Sequence, residues 1–202
     1  MVKRRPTSAS RRERGASMIE VLVAMVVIAF GLLGMAGLQV RLQASEMEAY
    51  QRTQAMLLLG DLKGRMESNR LEVGQYAIEA PVASPIGVDE DCPVFASTLT
   101  RVKKDISQWC NALQGAAEST DAGANRMGAM VGGRGCVEDL GTSGSGDRSL
   151  RITVAWQGST PIAAPTEACG AGSYNGAAGS ACRDDLCRRT VSTIVRIGKL
   201  AS

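Results

Sequence analysis

The sequence predicts an α+β protein: a long N-terminal helix, transmembrane in its first half, packed on a small antiparallel β-sheet with a disulfide-rich C-terminal loop. Three observations carry this. An unbroken apolar run lies behind a basic leader, two segments near the C-terminus alternate apolar and polar residues, and all six cysteines follow the apolar run.

The 202 residues carry 23 Lys+Arg, 20 Asp+Glu and no His, with 45% apolar residues, too many for a disordered chain. The charge is uneven. Lys3, Arg4, Arg5, Arg11, Arg12 and Arg14 stand against Glu13 in the first fifteen residues; without them 17 cations face 19 anions, so the rest is slightly acidic. A basic cluster before an apolar stretch holds an N-terminus on the cytoplasmic side. No aromatic or helical basic stripe accompanies it, so nucleic acid is not the expected partner of the leader.

The apolar stretch runs from Met18 to Val40, and the 18 positions from Val21 to Leu38 hold only Val, Leu, Ala, Met, Ile, Phe and Gly. As a helix they extend about 27 Å, close to the hydrocarbon thickness of a bilayer. A cleaved signal peptide is the competing reading; its h-region is normally shorter, and Gly34-Met35-Ala36 is a poor cleavage site. Glu20 needs its own explanation, because an ionised carboxylate in an apolar run is costly unless paired. It can lie shallow enough to reach the headgroups. Alternatively, a cut after Gly15 places the new amine of Ala16 one helical turn from Glu20, where cation and anion can neutralise each other between neighbouring chains.

Pro is absent from Thr7 to Ala80, and the residues after Arg41 are good helix formers, so the helix continues to about Arg70. Leu42, Ala49 and Met56 recur every seventh residue, with Leu57, Leu59, Leu62 and Met66 near them, giving an apolar stripe for a globular domain to cover. Gly31, Gly34 and Gly37 weaken the first half, each by about 1 kcal/mol relative to Ala. They suit either close helix packing or local unwinding. Pro81, Pro85, Gly87 and Asp89-Glu90-Asp91 mark a loop, and Leu99, Val102, Ile106, Trp109 and Leu113 then recur at helical spacing, with Trp109 a core residue. Ser149 to Gln157 reads as a half-buried strand, Leu150, Ile152, Val154 and Trp156 pointing one way and Arg151, Thr153, Ala155 and Gln157 the other. Thr190 to Ile197 is a second strand, and Ala129 to Val137 a weaker third.

Cys92, Cys110, Cys136, Cys169, Cys182 and Cys187 fall where the charge rule places the chain outside the cytoplasm, and disulfides are the expected state. Fifteen full pairings are open; Cys169, Cys182 and Cys187 crowd one Gly/Ala/Ser-rich loop, Gly158 to Cys187, and are expected to share at least one bridge. A four-Cys zinc site is the alternative, disfavoured by the loose Cys182 to Cys187 spacing. Without His, most acid–base and nucleophilic constellations are missing, and no phosphate-binding loop is present. The acidic clusters Asp89-Glu90-Asp91 and Asp184-Asp185 lack the spacing of a known calcium loop. No catalytic residue, cofactor or metal is expected.

The run Gly15-Ala16-Ser17-Met18-Ile19-Glu20-Val21-Leu22 resembles the processing site of type IV prepilins and pseudopilins: a short basic leader, Gly before the cut, Glu as fifth mature residue, then an apolar helix. The resemblance implies cleavage between Gly15 and Ala16 by a prepilin peptidase that also N-methylates the new terminus, and docking into a filament guided by Glu20. The family usually has Phe where this chain has Ala16. Ile19 to Ala24 with Gly31 to Gln39, Val154 to Gly158, and Arg188 to Val195 are similar to the PilV group of minor pilins, the type IV pilus modification proteins. That resemblance implies a leader (1–15), a transmembrane and assembly half-helix (16–40), an amphipathic half-helix (41–70) and a periplasmic pilin head (71–202). It further implies an inner-membrane and pilus location, a part in pilus assembly and in motility or adhesion, and other minor and major pilins, prepilin peptidase, the inner-membrane assembly machinery and a tip adhesin as partners. A minor pseudopilin of type II secretion shares the whole N-terminal argument. A single-pass anchored periplasmic binding module or enzyme is the reading of another class.

Overall fold

The computed structural model describes residues 17–88, 92, 98–115, 119–120, 125–126 and 130–199. The chain divides into two compact units, Met1–Gln43 and Ala44–Ser202. Helix α1 (Met18–Ser68) begins in the first and ends in the second. It closes two residues short of the expected Arg70, in a 3-10 turn at Arg70–Glu72, and is followed by α2 (Gln75–Glu79), β1 (Ile86–Gly87) and α3 (Arg101–Leu113). Thr100 caps α3, its hydroxyl accepting from the Lys103 N–H at 3.4 Å. Strands β2 (Ser119–Thr120) and β3 (Asn125–Arg126) pair as a small hairpin. Strands β4 (Arg134–Thr142), β5 (Arg148–Gln157) and β6 (Arg188–Ile197) complete an antiparallel four-stranded sheet in the order β1-β4-β5-β6.

The core fills the space between the head end of α1, α3 and one face of the sheet. Ala55, Leu59, Leu62 and Met66 recur at helical spacing on α1 and meet Ile106, Trp109 and Leu113 of α3 and Leu150, Ile152, Val154 and Val195 of the sheet. The Trp109 indole N–H donates to the Leu58 carbonyl at 3.0 Å, tying α3 to α1. Gly135 lets β4 approach this ring: a Cβ there would collide with the Trp109 six-membered ring and with Leu113.

Three expectations need correction. Leu42, Ala49 and Met56 are exposed. Of the expected stripe Leu59, Leu62 and Met66 are buried, joined by Gln51 and Ala55; this row also repeats at seven residues, Ala55 with Leu62 and Leu59 with Met66, but on a different side of the helix from Leu42, Ala49 and Met56. Strand β5 is covered on both faces between Ile152 and Trp156, not on one. Its second face carries Ala155, which packs with Cys136, Cys169 and Tyr174 under the C-terminal loop. The third strand starts at Arg134 rather than Ala129 and continues to Thr142, beyond its apolar residues. Cross-strand ion pairs sustain that extension, Arg151 to Glu138 at 2.8 Å and Arg148 to Asp139. Residue 129 lies outside the described residues.

Gly135→Ala forces Trp109 or the β4 backbone to move, so it should destabilise the full chain by about 1–3 kcal/mol. The urea midpoint in detergent should fall at unchanged slope. An unchanged midpoint would show that the ring and strand are not in contact.

Candidate processing and assembly site

Ser17 is the first described residue and caps α1. Its hydroxyl accepts from the Ile19 N–H at 3.4 Å, and its carbonyl accepts from the Glu20 and Val21 N–H groups at 2.9 and 3.3 Å. Glu20 therefore sits in the first turn, where the helix dipole favours an anion. Gly15 and Ala16 lie outside the described residues. From Met18 through Val40 every large apolar side chain is exposed, including Leu22, Val27, Phe30 and Leu33. The helix is long and apolar enough to cross a membrane, and none of that window is buried. Gly31, Gly34 and Gly37 have open space where a Cβ would stand, and Gly34 and Gly37 line a shallow groove with Leu38 and Arg41. No described residue of the first unit covers this surface, an apolar area that lipid or other chains can remove from water.

The head contains three disulfides. Cys92 pairs with Cys110, Cys136 with Cys169, and Cys182 with Cys187, at sequence separations of 18, 33 and 5. No free cysteine is found, so the zinc alternative has no thiolates to use. No cluster of metal-ligating side chains occurs among the described residues. Asp185 accepts from the Gly172 N–H at 2.9 Å and pairs with Arg188 at 3.2 Å, which commits its carboxylate to the loop. Residues 89–91 lie outside the described residues.

Sequence reasoning missed the buried polar groups that organise the head. Asp105 is 5% exposed; it accepts from the Tyr76 hydroxyl at 2.6 Å and faces Arg65 at 3.3 Å and Arg101 at 3.6 Å. Burial, then this bond, pushes the Tyr76 phenol well above its ordinary value. The four-residue spacing of Arg101 and Asp105 was the available signal. Arg188 and Arg189 are buried at the start of β6. Arg188 donates to the carbonyls of Glu167, Cys169 and Pro165, and Arg189 to that of Thr160 while pairing with Glu48 of α1. Two adjacent arginines thus hold the loop after β5 by its carbonyl oxygens, which no motif announces.

A family model of the prokaryotic N-terminal methylation motif matches residues 10–36. No curated protein and no solved structure matches the chain. The matched segment supports a type IV pilin or pseudopilin-type substrate of prepilin peptidase, with membrane anchoring and assembly with other pilins. The fold agrees in class: a long N-terminal apolar helix packed on a small antiparallel sheet, with disulfides in the C-terminal region.

Two measurements test the head. Loss of Cys136–Cys169 through paired Ser substitutions should cost about 2–5 kcal/mol, and loss of Cys182–Cys187 less, because it closes a much shorter loop. Equal unfolding midpoints in the two variants would refute that ranking. The Arg148 guanidinium and the Gly141 N–H hold Asp139 below the usual carboxylate range, and the Glu167 backbone N–H, Thr190 and Ser192 do so for Glu167. Depressed folded values mean stability that is present above about pH 4 and lost as pH falls through the folded values. Asp139→Asn should flatten that acid decline in urea titrations between neutral pH and pH 3; an unchanged slope argues against the pairing.

Proposed function

We propose that this chain is a minor pilin of a type IV pilus, of the PilV group. The observation that supports it most is the methylation motif running directly into a helix whose apolar surface has no cover among the described residues of its own unit. On this reading residues 1–15 are the leader, and prepilin peptidase cuts between Gly15 and Ala16 and methylates the new amine. Residues 16–40 anchor the chain in the inner membrane, with the N-terminus cytoplasmic and the head periplasmic. Glu20 draws the chain into the growing filament. In the low dielectric among packed helices its carboxylate and the amine of a neighbouring chain neutralise each other, which selects correctly docked chains. The head then supplies contacts that support priming of assembly and pilus-dependent motility or adhesion, with other minor and major pilins, the inner-membrane machinery and a tip adhesin as partners. It acts as a structural subunit.

The motif equally supports a minor pseudopilin of type II secretion. Co-purification with a secretion complex instead of pilins would select that reading.

Mass spectrometry of the N-terminal peptide from native membranes, with and without active prepilin peptidase, tests the class. An N-terminus at Ala16 that depends on the peptidase is expected. An intact leader on a monomeric chain would make it an anchored periplasmic module, and a start near Gly37 a secreted domain. Glu20→Ala should leave insertion intact and deplete the chain from sheared filaments; wild-type incorporation would remove the docking role from Glu20.

A further inference from the structure

Strand β6 is an edge strand whose one neighbour in the sheet is β5. The ladder defines which of its backbone groups are free. The Gly158 N–H donates to the Cys187 carbonyl at 2.7 Å, extending the β5–β6 register by one pair beyond Gln157↔Arg188. Hydrogen-bonded pairs alternate along an antiparallel ladder. Arg189, Val191, Thr193, Val195 and Ile197 therefore bond β5, while Thr190, Ser192, Ile194 and Arg196 turn their N–H and C=O groups to the open edge. Before Thr190 the edge is occupied, since Leu186 accepts from Ile162 and the Arg188 N–H donates to Asp185. From Thr190 to Arg196 no backbone hydrogen bond from another described residue reaches it. This stretch has no bulge and no proline, two of the usual devices that blunt an edge.

The same four residues share one face of the sheet, opposite the buried Val195 and Ile197. The two ends of that face are oppositely charged. At one end the Glu167 carboxylate accepts from Thr190 Oγ1 at 3.0 Å and from Ser192 Oγ at 3.4 Å. At the other end Arg196 is exposed, with no ion pair among the described residues. Ile194, 45% exposed, lies between them.

We propose that this edge docks the same edge of a second copy of the chain, antiparallel, with Thr190 opposite Arg196, Ser192 opposite Ile194 and the two-fold axis at Thr193. In that register every edge-facing backbone group from Thr190 to Arg196 finds a partner on both strands. Each Arg196 guanidinium reaches the carboxylate of Glu167 in the second copy, and the two Ile194 side chains become diagonal neighbours that cover each other. A parallel, in-register pairing would set Arg196 against Arg196, which the like charges oppose. An occupant with a neutral or basic strand would leave one of the two charged ends unanswered, whereas a second copy answers both.

The test is sedimentation equilibrium of the full chain in detergent, read without the peptidase and so independent of the N-terminal experiment. The wild-type chain should dimerise. Ile194→Pro removes an N–H that faces the open edge, so it should leave the sheet folded, as a thermal melt checks, and abolish the dimer. Arg196→Glu and Glu167→Arg should each raise the dimer Kd at least about tenfold, and the double variant should recover it. A monomeric wild type overturns the proposal. So does a dimer indifferent to Ile194→Pro and to both reversals, as does a double variant no better than the singles. A photo-crosslinker at position 194 that captures only a different pilin overturns it as well, giving the edge to another subunit.

Discussion

Everything in the head rests on the burial of one short stripe, Ala55, Leu59, Leu62 and Met66, on a helix that is otherwise exposed for most of its length. A four-stranded sheet with one very short strand has too little surface to fold without a layer against it. That layer is α1, with α3 wedged beside it and locked by the Trp109 bond to Leu58. The same helix is bound by an opposite requirement at its other end, where every large apolar residue faces outward. One element thus satisfies two solvents, and the change falls where the apolar run gives way to charged and polar residues after Val40.

The parts of the fold that were legible in the sequence are those where burial follows period. The alternation of Leu150, Ile152, Val154 and Trp156 and the helical spacing of Val102, Ile106, Trp109 and Leu113 each mark an element found close to its expected bounds. Where ion pairs or backbone geometry replace burial, the pattern carries less. The outer half of β4, held by Glu138 and Asp139 against Arg151 and Arg148, has no apolar period to detect. On α1 the apolar cover of Leu59, Leu62 and Met66 was legible, while the row of Leu42, Ala49 and Met56 was not the buried one, since more than one seven-residue row is apolar there and packing chooses between them. At the N-terminus the position is reversed. Ser17, Glu20 and the apolar run are chemically explicit in sequence, while the structure adds the cap and the first-turn position of Glu20.

The second face of the sheet changes how the glycine-rich loop is understood. From Gly158 to Cys187 the composition reads as slack chain, yet Tyr174 is buried and donates to the Gly132 carbonyl at 2.7 Å, and Cys169 is bridged to β4. Arg188 and Arg189 act as fixed forks of N–H donors that gather the loop's carbonyl oxygens, a use for which lysine has neither the planarity nor the number of donors. The loop is a second layer, assembled from backbone polar groups rather than from side-chain hydrophobes.

Strand β6 follows every other strand of its sheet in sequence, and that order has a kinetic side. Strand β5 is covered on both flanks only when residues Arg188–Ile197 arrive, thirty residues after β5 itself has been made. Until then the core face of β5 lacks the neighbours Val195 and Ile197, and the arginines that gather the loop are absent. As the chain is synthesised from its N-terminus, the helix and the β4–β5 hairpin can form from local contacts before β6 is available to the sheet. The Cys182–Cys187 bridge, between cysteines five positions apart, closes a local loop that does not include β5 or β6. The Cys136–Cys169 bridge joins β4 to the loop whose carbonyl oxygens Arg188 of β6 gathers, so β6 helps to set the course along which that bridge closes.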